Sequence, residues 1–282
     1  MFRYAYLILG LSIFFQVAEG QGIINDQPKM LFSNERTVGA FLNSNGIGLD
    51  FRFAKYVDVI NDRLYEISLD YVRDPKEYKT LVSYDSYYSR RFVYGKENLF
   101  WELKGLYGHQ HEIFRKYDFS SISIRTFYSG GLALGFQKPI YYEIITYSAQ
   151  GLPQYIEEKK FDPSIHLYNY GGTASFTRGF DEIKLNPGIT GKAGLSFEYS
   201  EREPMVHALE AGIGITAYLL SVEIMNTQEQ SPTLKNHLFF KFFVGYRFGT
   251  LLDISDAALA KSRWERRKER KEASSQPGEI VR

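Results

Sequence analysis

From residue 237 to 249 the chain reads His-Leu-Phe-Phe-Lys-Phe-Phe-Val-Gly-Tyr-Arg-Phe-Gly. A strand sends successive side chains to opposite faces. Leu238, Phe240, Phe242, Val244, Tyr246 and Phe248 therefore share one face, and Phe239, Lys241, Phe243, Gly245 and Arg247 share the other. The first face suits lipid and the second tolerates charge. The same alternation recurs upstream. Ile47, Leu49, Phe51 and Phe53 oppose Gly48, Asp50, Arg52 and Ala54; Tyr65, Ile67, Leu69 and Tyr71 oppose Glu66, Ser68 and Asp70; Leu99, Trp101, Leu103 and Tyr107 oppose Glu102, Lys104 and Gln110. Beyond the middle of the chain, Ala193, Leu195, Phe197 and Tyr199 oppose Lys192, Gly194, Ser196 and Glu198, and Leu209, Ala211, Ile213, Ile215 and Ala217 oppose Glu210, Gly212, Gly214 and Thr216.

These patterns predict strands over 36–43, 47–57, 63–73, 86–94, 99–110, 120–136, 140–147, 189–200, 207–219 and 237–249, that is, about ten with a range of 8–12. Ser44-Asn45-Gly46 is a tight-turn signal, and Lys138-Pro139 breaks the ladder because proline has no amide hydrogen to donate. Residues 148–188 are expected to form one large loop with some strand around 173–178. The predicted architecture is all-β, a closed antiparallel transmembrane barrel spanning 36–250. With an even strand number both ends lie on one side. Connections at 58–62, 95–98, 138–139 and 201–205 then fall on that side and are short, while those at 74–85, 111–119, 148–188 and 220–236 fall opposite and are mostly long, an asymmetry shared by outer-membrane barrels.

Composition sharpens this picture. Tyr and Phe number 22 each and recur through most predicted strands, as interfacial aromatic girdles would use them. A soluble aromatic-rich β-protein is the competing reading. Arg3, the apolar run 5–15 and the small residues Ala18 and Gly20 form a secretory signal peptide over 1–20. Residues 21–35 read as a periplasmic lead-in. No later run is long enough for a membrane helix. The chain has no cysteine, which removes disulfides, thiolate metal sites and a lipidated cysteine. A net charge of +1 offers nothing global to nucleic acid.

Residues 251–282 change character and read as a charged, helical periplasmic tail. Lys261, Arg263, Arg266, Arg267, Lys268, Arg270 and Lys271 outnumber Glu265, Glu269 and Glu272. Such a stretch is a solvated tail with pairs one turn apart, or a contact, through Arg263, Arg266, Arg267 and Arg270, with a partner or with anionic headgroups.

The inward charges predicted by the alternation are Asp50, Glu66, Asp70, Glu102, Glu198 and Glu210 against Arg52, Lys104, Arg125, Lys192, Lys241 and Arg247. Acids and bases balance. A selective pore shows an excess of one sign at its constriction, so the balance implies an interior filled with paired charge. His109 and His111 would share a strand face near Ser120, Ser121 and Ser123, the parts from which a lipid hydrolase could be built. No Gly-x-Ser-x-Gly occurs. His166, His207 and His237 are scattered, so no metal or cofactor is expected.

Three stretches carry a resemblance: 41–46 (Phe-Leu-Asn-Ser-Asn-Gly), 90–96 (Arg-Arg-Phe-Val-Tyr-Gly-Lys), and Ile122-Ser123-Ile124-Arg125 through Gly130-Gly131 to Lys138-Pro139-Ile140-Tyr141-Tyr142. They resemble a group of small outer-membrane barrel proteins of Bacteroidota-type bacteria, over residues 36 to 250 and most strongly over 36 to 145. The resemblance implies the location and the fold, transfers no catalytic residue, and suggests an accessory subunit of an envelope machine such as outer-membrane protein assembly. The expectation is therefore a non-enzymatic outer-membrane barrel that contacts lipid and other envelope proteins. A narrow channel for a small solute and a lipid-modifying enzyme are the alternatives.

Overall fold

The computed structural model describes residues 33–81, 91–115, 121–148, 153–200, 204–226 and 237–253. The predicted signal peptide, most of the lead-in and the basic tail, with Arg263, Arg266, Arg267 and Arg270, lie outside these residues.

The segments with strict alternation form long strands: β1 (Ser33–Asn43), β2 (Gly46–Asp58), β3 (Asn61–Val72), β6 (Asn98–Phe114), β7 (Ser123–Pro139), β11 (Lys184–Glu198), β12 (Met205–Tyr218) and β13 (Leu238–Asp253). Between them lie shorter strands, β4 (Lys79–Leu81), β5 (Arg91–Val93), β8 (Tyr141–Tyr147), β9 (Pro153–Lys160) and β10 (Tyr170–Thr173). The eight long strands close on themselves in the order β1-β13-β12-β11-β7-β6-β3-β2, every pair antiparallel. Closure pairs every strand on both edges, so the sheet has no open ladder to protect.

The faces are inverted relative to a water-soluble sandwich. Leu132, pointing outward, is 72% exposed, while Arg52, pointing inward, is 1% exposed. Leu42, Ile67, Ile189, Phe242 and Val244 are likewise outward and exposed. Small residues admit bulky neighbours to the interior: a Cβ on Gly39 or Gly245 would lie 2.4 or 2.2 Å from the Phe41 ring.

The barrel has eight strands, not about ten. The expected strands 86–94 and 140–147 do not enter it. Arg91–Val93 pairs with β4, and Tyr141–Tyr147 is the centre of a separate sheet in the order β10-β8-β9. Both segments alternate because one face packs a second core of Phe92, Tyr142, Ile144 and Tyr170. Alternation reports that one face is covered and is silent on what covers it. The long loop also differs from expectation. β9 occupies 153–160, β10 ends at Thr173, and the expected strand around 173–178 is mostly turn. β1 begins at Ser33, so Glu35 belongs to the barrel wall.

Removing two strands changes the sides assigned to the connections between them. Ser33 and Asp253 share one end with the connections 59–60, 115–122 and 199–204. The opposite end carries the tight turn 44–45 and the longer connections 73–97, 140–183 and 219–237. Residues 95–98 and 138–139 therefore lie at the long-loop end, and 111–119 reaches the short-turn end, each opposite to expectation. The two surplus strands reverse the sides in turn, so the later connections return to the expected ones.

Direct pairing of β7 with β11 can be tested in a chain without cysteine. Leu132 and Ile189 are cross-strand partners with outward side chains. Adjacent strands lie about 4.8 Å apart, within disulfide reach, whereas a strand inserted between them would double the gap beyond it. The double variant Leu132→Cys/Ile189→Cys should cross-link on mild oxidation, read as a reducible mobility shift. A strand 140–147 within the barrel wall would leave both thiols free.

Candidate functional site

Eight strands leave an interior only wide enough for side chains to fill. The inward positions of β2, β3, β12 and β13 supply its centre. Arg52 donates to Glu66 (3.0 Å) and to both carboxylate oxygens of Glu210 (2.6 and 3.2 Å). Arg247 meets Glu210 from the other side (2.9 and 3.1 Å), donates to Asp50 at 2.9 Å and reaches the Thr37 hydroxyl at 3.2 Å. From β11, Lys192 bridges Asp50 (3.3 Å) and Glu66. The Phe41, Phe127 and Phe243 rings line this centre, with the Arg52 guanidinium 4.7 Å from the Phe127 centroid and Lys192 Nζ 5.6 Å from that of Phe41. Fork-shaped arginines satisfy several acceptors in a fixed plane, which allows charge to be buried in so small a space.

A second layer lies toward the long-loop end. Asp70 accepts from Lys104 at 2.7 Å and from Lys241, Lys104 also pairs with Glu102, and the Tyr218 hydroxyl donates to Glu102 at 2.8 Å. Toward the short-turn end Arg125 pairs with Glu35 at 2.6 Å and with Glu198. All twelve of the inward charges predicted from the alternation thus lie inside the barrel and in contact with an opposite charge. Glu35 was missed because the first strand was expected to start one residue later, although Glu35, Thr37 and Gly39 continue the inward parity of Phe41.

Above the charges the mouth is apolar. Val72, Phe100, Ala133 and Tyr218 point in from the wall, and Val222 and Ile224 fold in from the β12–β13 connection. That connection is tied down by Gln137 to the Ser221 carbonyl (3.1 Å), by Asn186 to the Leu220 carbonyl (2.6 Å) and by the Glu97 amide to the Ile224 carbonyl (2.9 Å). No sequence signal marked Val222 and Ile224, which read as ordinary loop. Beneath the cap, the polar void between Phe41, Asp50, Asp70, Lys104, Lys192 and Lys241 measures about 20 Å³, room for about one water.

Outside the mouth the sheet β10-β8-β9 stands on the long-loop end, joined to it by Tyr142, whose hydroxyl donates to the carbonyls of Val93 (2.8 Å) and Lys96 (2.7 Å). Hydrogen bonds from Lys160 and from Tyr141 (2.5 Å) hold the Glu182 carboxyl below the usual carboxylate range and fasten the β10–β11 connection to this sheet. β9 pairs only with β8 among the described residues, and its Tyr155 and Ile156 are exposed.

The residues considered for catalysis do not converge. His109 and His111 face outward, His109 between the rings of Tyr107 and Tyr128, His111 with Nδ1 2.8 Å from Asn61 Oδ1. Ser123 faces inward and donates to Glu112 at 3.0 Å, and Ser120 lies outside the described residues. Among the described residues no group of three or more His, Cys, Asp or Glu side chains could hold a metal ion.

No family model matches the chain, and no curated protein sequence does. Among solved structures it is similar to the crystal structure of Neisserial surface protein A, at 9% identity and a TM-score of 0.32 over 79% of this chain and 97% of that one. It is also similar to the N-terminal β-barrel domain of Pseudomonas aeruginosa OprF, at 9% and 0.31 over 77% and 97%. A third is Ail of Yersinia pestis, solved in complex with the heparin analogue sucrose octasulfate, at 8% and 0.35 over 78% and 99%. The fold assignment rests on the strand pairing of the chain itself.

Truncating one member of the central cluster should be costly. Glu210 is 1% exposed and accepts from both Arg52 and Arg247, so Glu210→Leu strands two buried cations. Breaking a buried ion pair from one side costs about 3–5 kcal/mol. Urea unfolding of the refolded protein should show a loss of that size, with a smaller one for Lys241→Met in the second layer, where Lys104 still pairs with Asp70. Equal stability of Glu210→Leu and the unmodified chain would show that the cluster does not hold the barrel.

Proposed function

We propose that the chain is a non-enzymatic integral outer-membrane barrel that works by holding partners at its long-loop end. The carrying observation is the combination of a blocked interior with a built structure above it: ion pairs and an apolar cap fill the lumen, while a three-stranded sheet with its own aromatic core stands over the mouth.

The membrane reading is supported by the outer belt. Monomeric soluble proteins rarely expose contiguous apolar patches above a few hundred Å². Here the middle of the outward face of every barrel strand is apolar, with Arg36, Lys55 and Arg63 near the short-turn end and Lys138 at the long-loop end, and every charge of the wall's central cluster points inward. The resemblance of residues 36–145 to small barrels of Bacteroidota-type bacteria adds to this reading, as does the clustering of longer connections at one end. In that frame the short-turn end, with both chain ends, faces the periplasm, and the tail residues Arg263, Arg266, Arg267 and Arg270 offer a second contact there.

The sheet above the mouth supplies the first. β9 is an edge strand, and edge strands are templates for strand addition by another chain. Its second half, Glu157 to Lys160, carries the charges that blunt such edges, but Tyr155 and Ile156 do not. An accessory role in an envelope complex, such as outer-membrane protein assembly, is the function this arrangement serves best.

Two measurements test the proposal. Planar-bilayer recordings of the purified protein should show no unitary conductance, whereas steady single-channel steps would favour the channel reading. Tagged protein drawn from gently solubilised native membranes should carry envelope proteins in stoichiometric amounts, and Tyr155→Glu/Ile156→Glu should reduce them several-fold without changing barrel content. A lone monomer under every mild detergent would sink the scaffold reading.

A further inference from the structure

On the outer wall at the long-loop end, one lysine is buried without a carboxylate partner among the described residues. Lys138 of β7 sits at an outward position, across from Leu99 on β6 and one step above the pair Trp101–Phe136. It is 2% exposed. Its neighbours Lys160 and Arg178 have carboxylate partners in Glu182 and Glu158. Lys138 has none among the described residues. Its ammonium lies instead 5.0 Å from the centroids of both Phe176 and Phe180. Cation–π contact stabilises the charge but occupies none of its three N–H donors.

The two rings reach Lys138 because the connection after β10 doubles back. Gly179, at φ +83°, takes the left-handed turn that brings Phe180 beside Phe176, and the two rings meet edge to face at 5.4 Å. Phe176 and Phe180 are 59% and 47% exposed, so they can swing aside without unpacking a core. Phe176 also contacts Trp101 (6.1 Å), and Trp101 contacts Tyr71 (6.1 Å). These last two rings form one end of an exterior groove of about 440 Å³, which continues along Leu42, Ile47, Leu49 and Leu69. That is the volume of a ligand site, and its lining is apolar.

We propose that this rim binds an anionic, phosphate-bearing lipid, with an acyl chain in the groove and the headgroup phosphate on Lys138 between Phe176 and Phe180. The inference rests on the membrane reading above. An outward lysine is costly at the bilayer centre and close to free at its edge, so Lys138 marks the headgroup level. An ammonium there, with unmatched donors and no carboxylate, selects an anion. An apolar groove that begins at Trp101, whose ring touches Phe176 beside the lysine, selects an anion that carries a hydrocarbon chain.

Trp101 reports on the site directly, since the chain has two tryptophans and Trp264→Phe leaves one. The full-length Trp264→Phe protein, folded in detergent, is titrated with phosphatidylglycerol or phosphatidylcholine brominated on the acyl chains, and quenching of Trp101 is followed. Half-quenching is expected at about fivefold lower mole fraction of phosphatidylglycerol, the factor of one lysine acting on an anionic headgroup. Lys138→Gln should bring the two lipids together, and Lys138→Arg should keep them apart. Equal quenching by the two lipids in the Lys138 protein, or an unchanged preference in Lys138→Gln, overturns the lipid site while leaving the barrel in its membrane. Absence of quenching by either lipid overturns the membrane reading and the site with it.

Discussion

Charge confined in a narrow, closed sheet is the constraint on which this molecule depends. An eight-stranded barrel has no room for bulk water, so each ionised group inside must find its opposite among the wall's own side chains. Arg52 and Arg247 meet this demand by sharing Glu210, and each takes a second acid from another strand, Glu66 or Asp50. Arg52–Glu210 and Arg247–Asp50 join strands that are not neighbours in the wall, and so cross-brace it through its centre. Small residues such as Gly39 and Gly245 let the Phe41 ring pack among these charges. Wall, charge and aromatic packing are interdependent, and a change of strand number would dissolve all three.

The same narrowness determines what the rest of the chain can do. A lumen closed by ion pairs, a water-sized void and an apolar cap leaves the two rims and the outer wall as the surfaces for function. The chain has invested its long connections at one rim. There β8, β9 and β10 build a sheet whose core is separate from the barrel, and residues 95–98 and 222–226 pair across the mouth beneath it. At the long-loop end the apolar outer wall reaches Trp101, Lys138 and Phe176, where one connection folds outward over it.

Much of the wall was legible in the chain. Wherever a segment alternates over ten or more positions, as at 47–57 or 237–249, the parity of its residues assigns each side chain to the lumen or the exterior, and the twelve charges at alternating positions all lie inside. Three things were not legible. Segments 91–93 and 141–147 alternate as barrel strands do, because the Phe92–Tyr142–Tyr170 core covers one face as effectively as a barrel would. Val222 and Ile224 carry no period at all, and their role follows from the mouth they happen to reach. Lys138 stands beside a proline in a segment that looks like a break, and its neighbours Phe176 and Phe180 are about forty residues away along the chain.

The sequence by itself therefore determined the two-faced strand, the balance of inward charge and the class of closed sheet, because strand parity is a local property of the backbone and a buried charge demands a partner wherever the chain runs. The number of strands, the pairing of each acid with its base, the cap over the mouth and the setting of Lys138 were decided only by the tertiary structure. Each of these depends on which distant segments become neighbours when the sheet closes, and no local pattern contains that information.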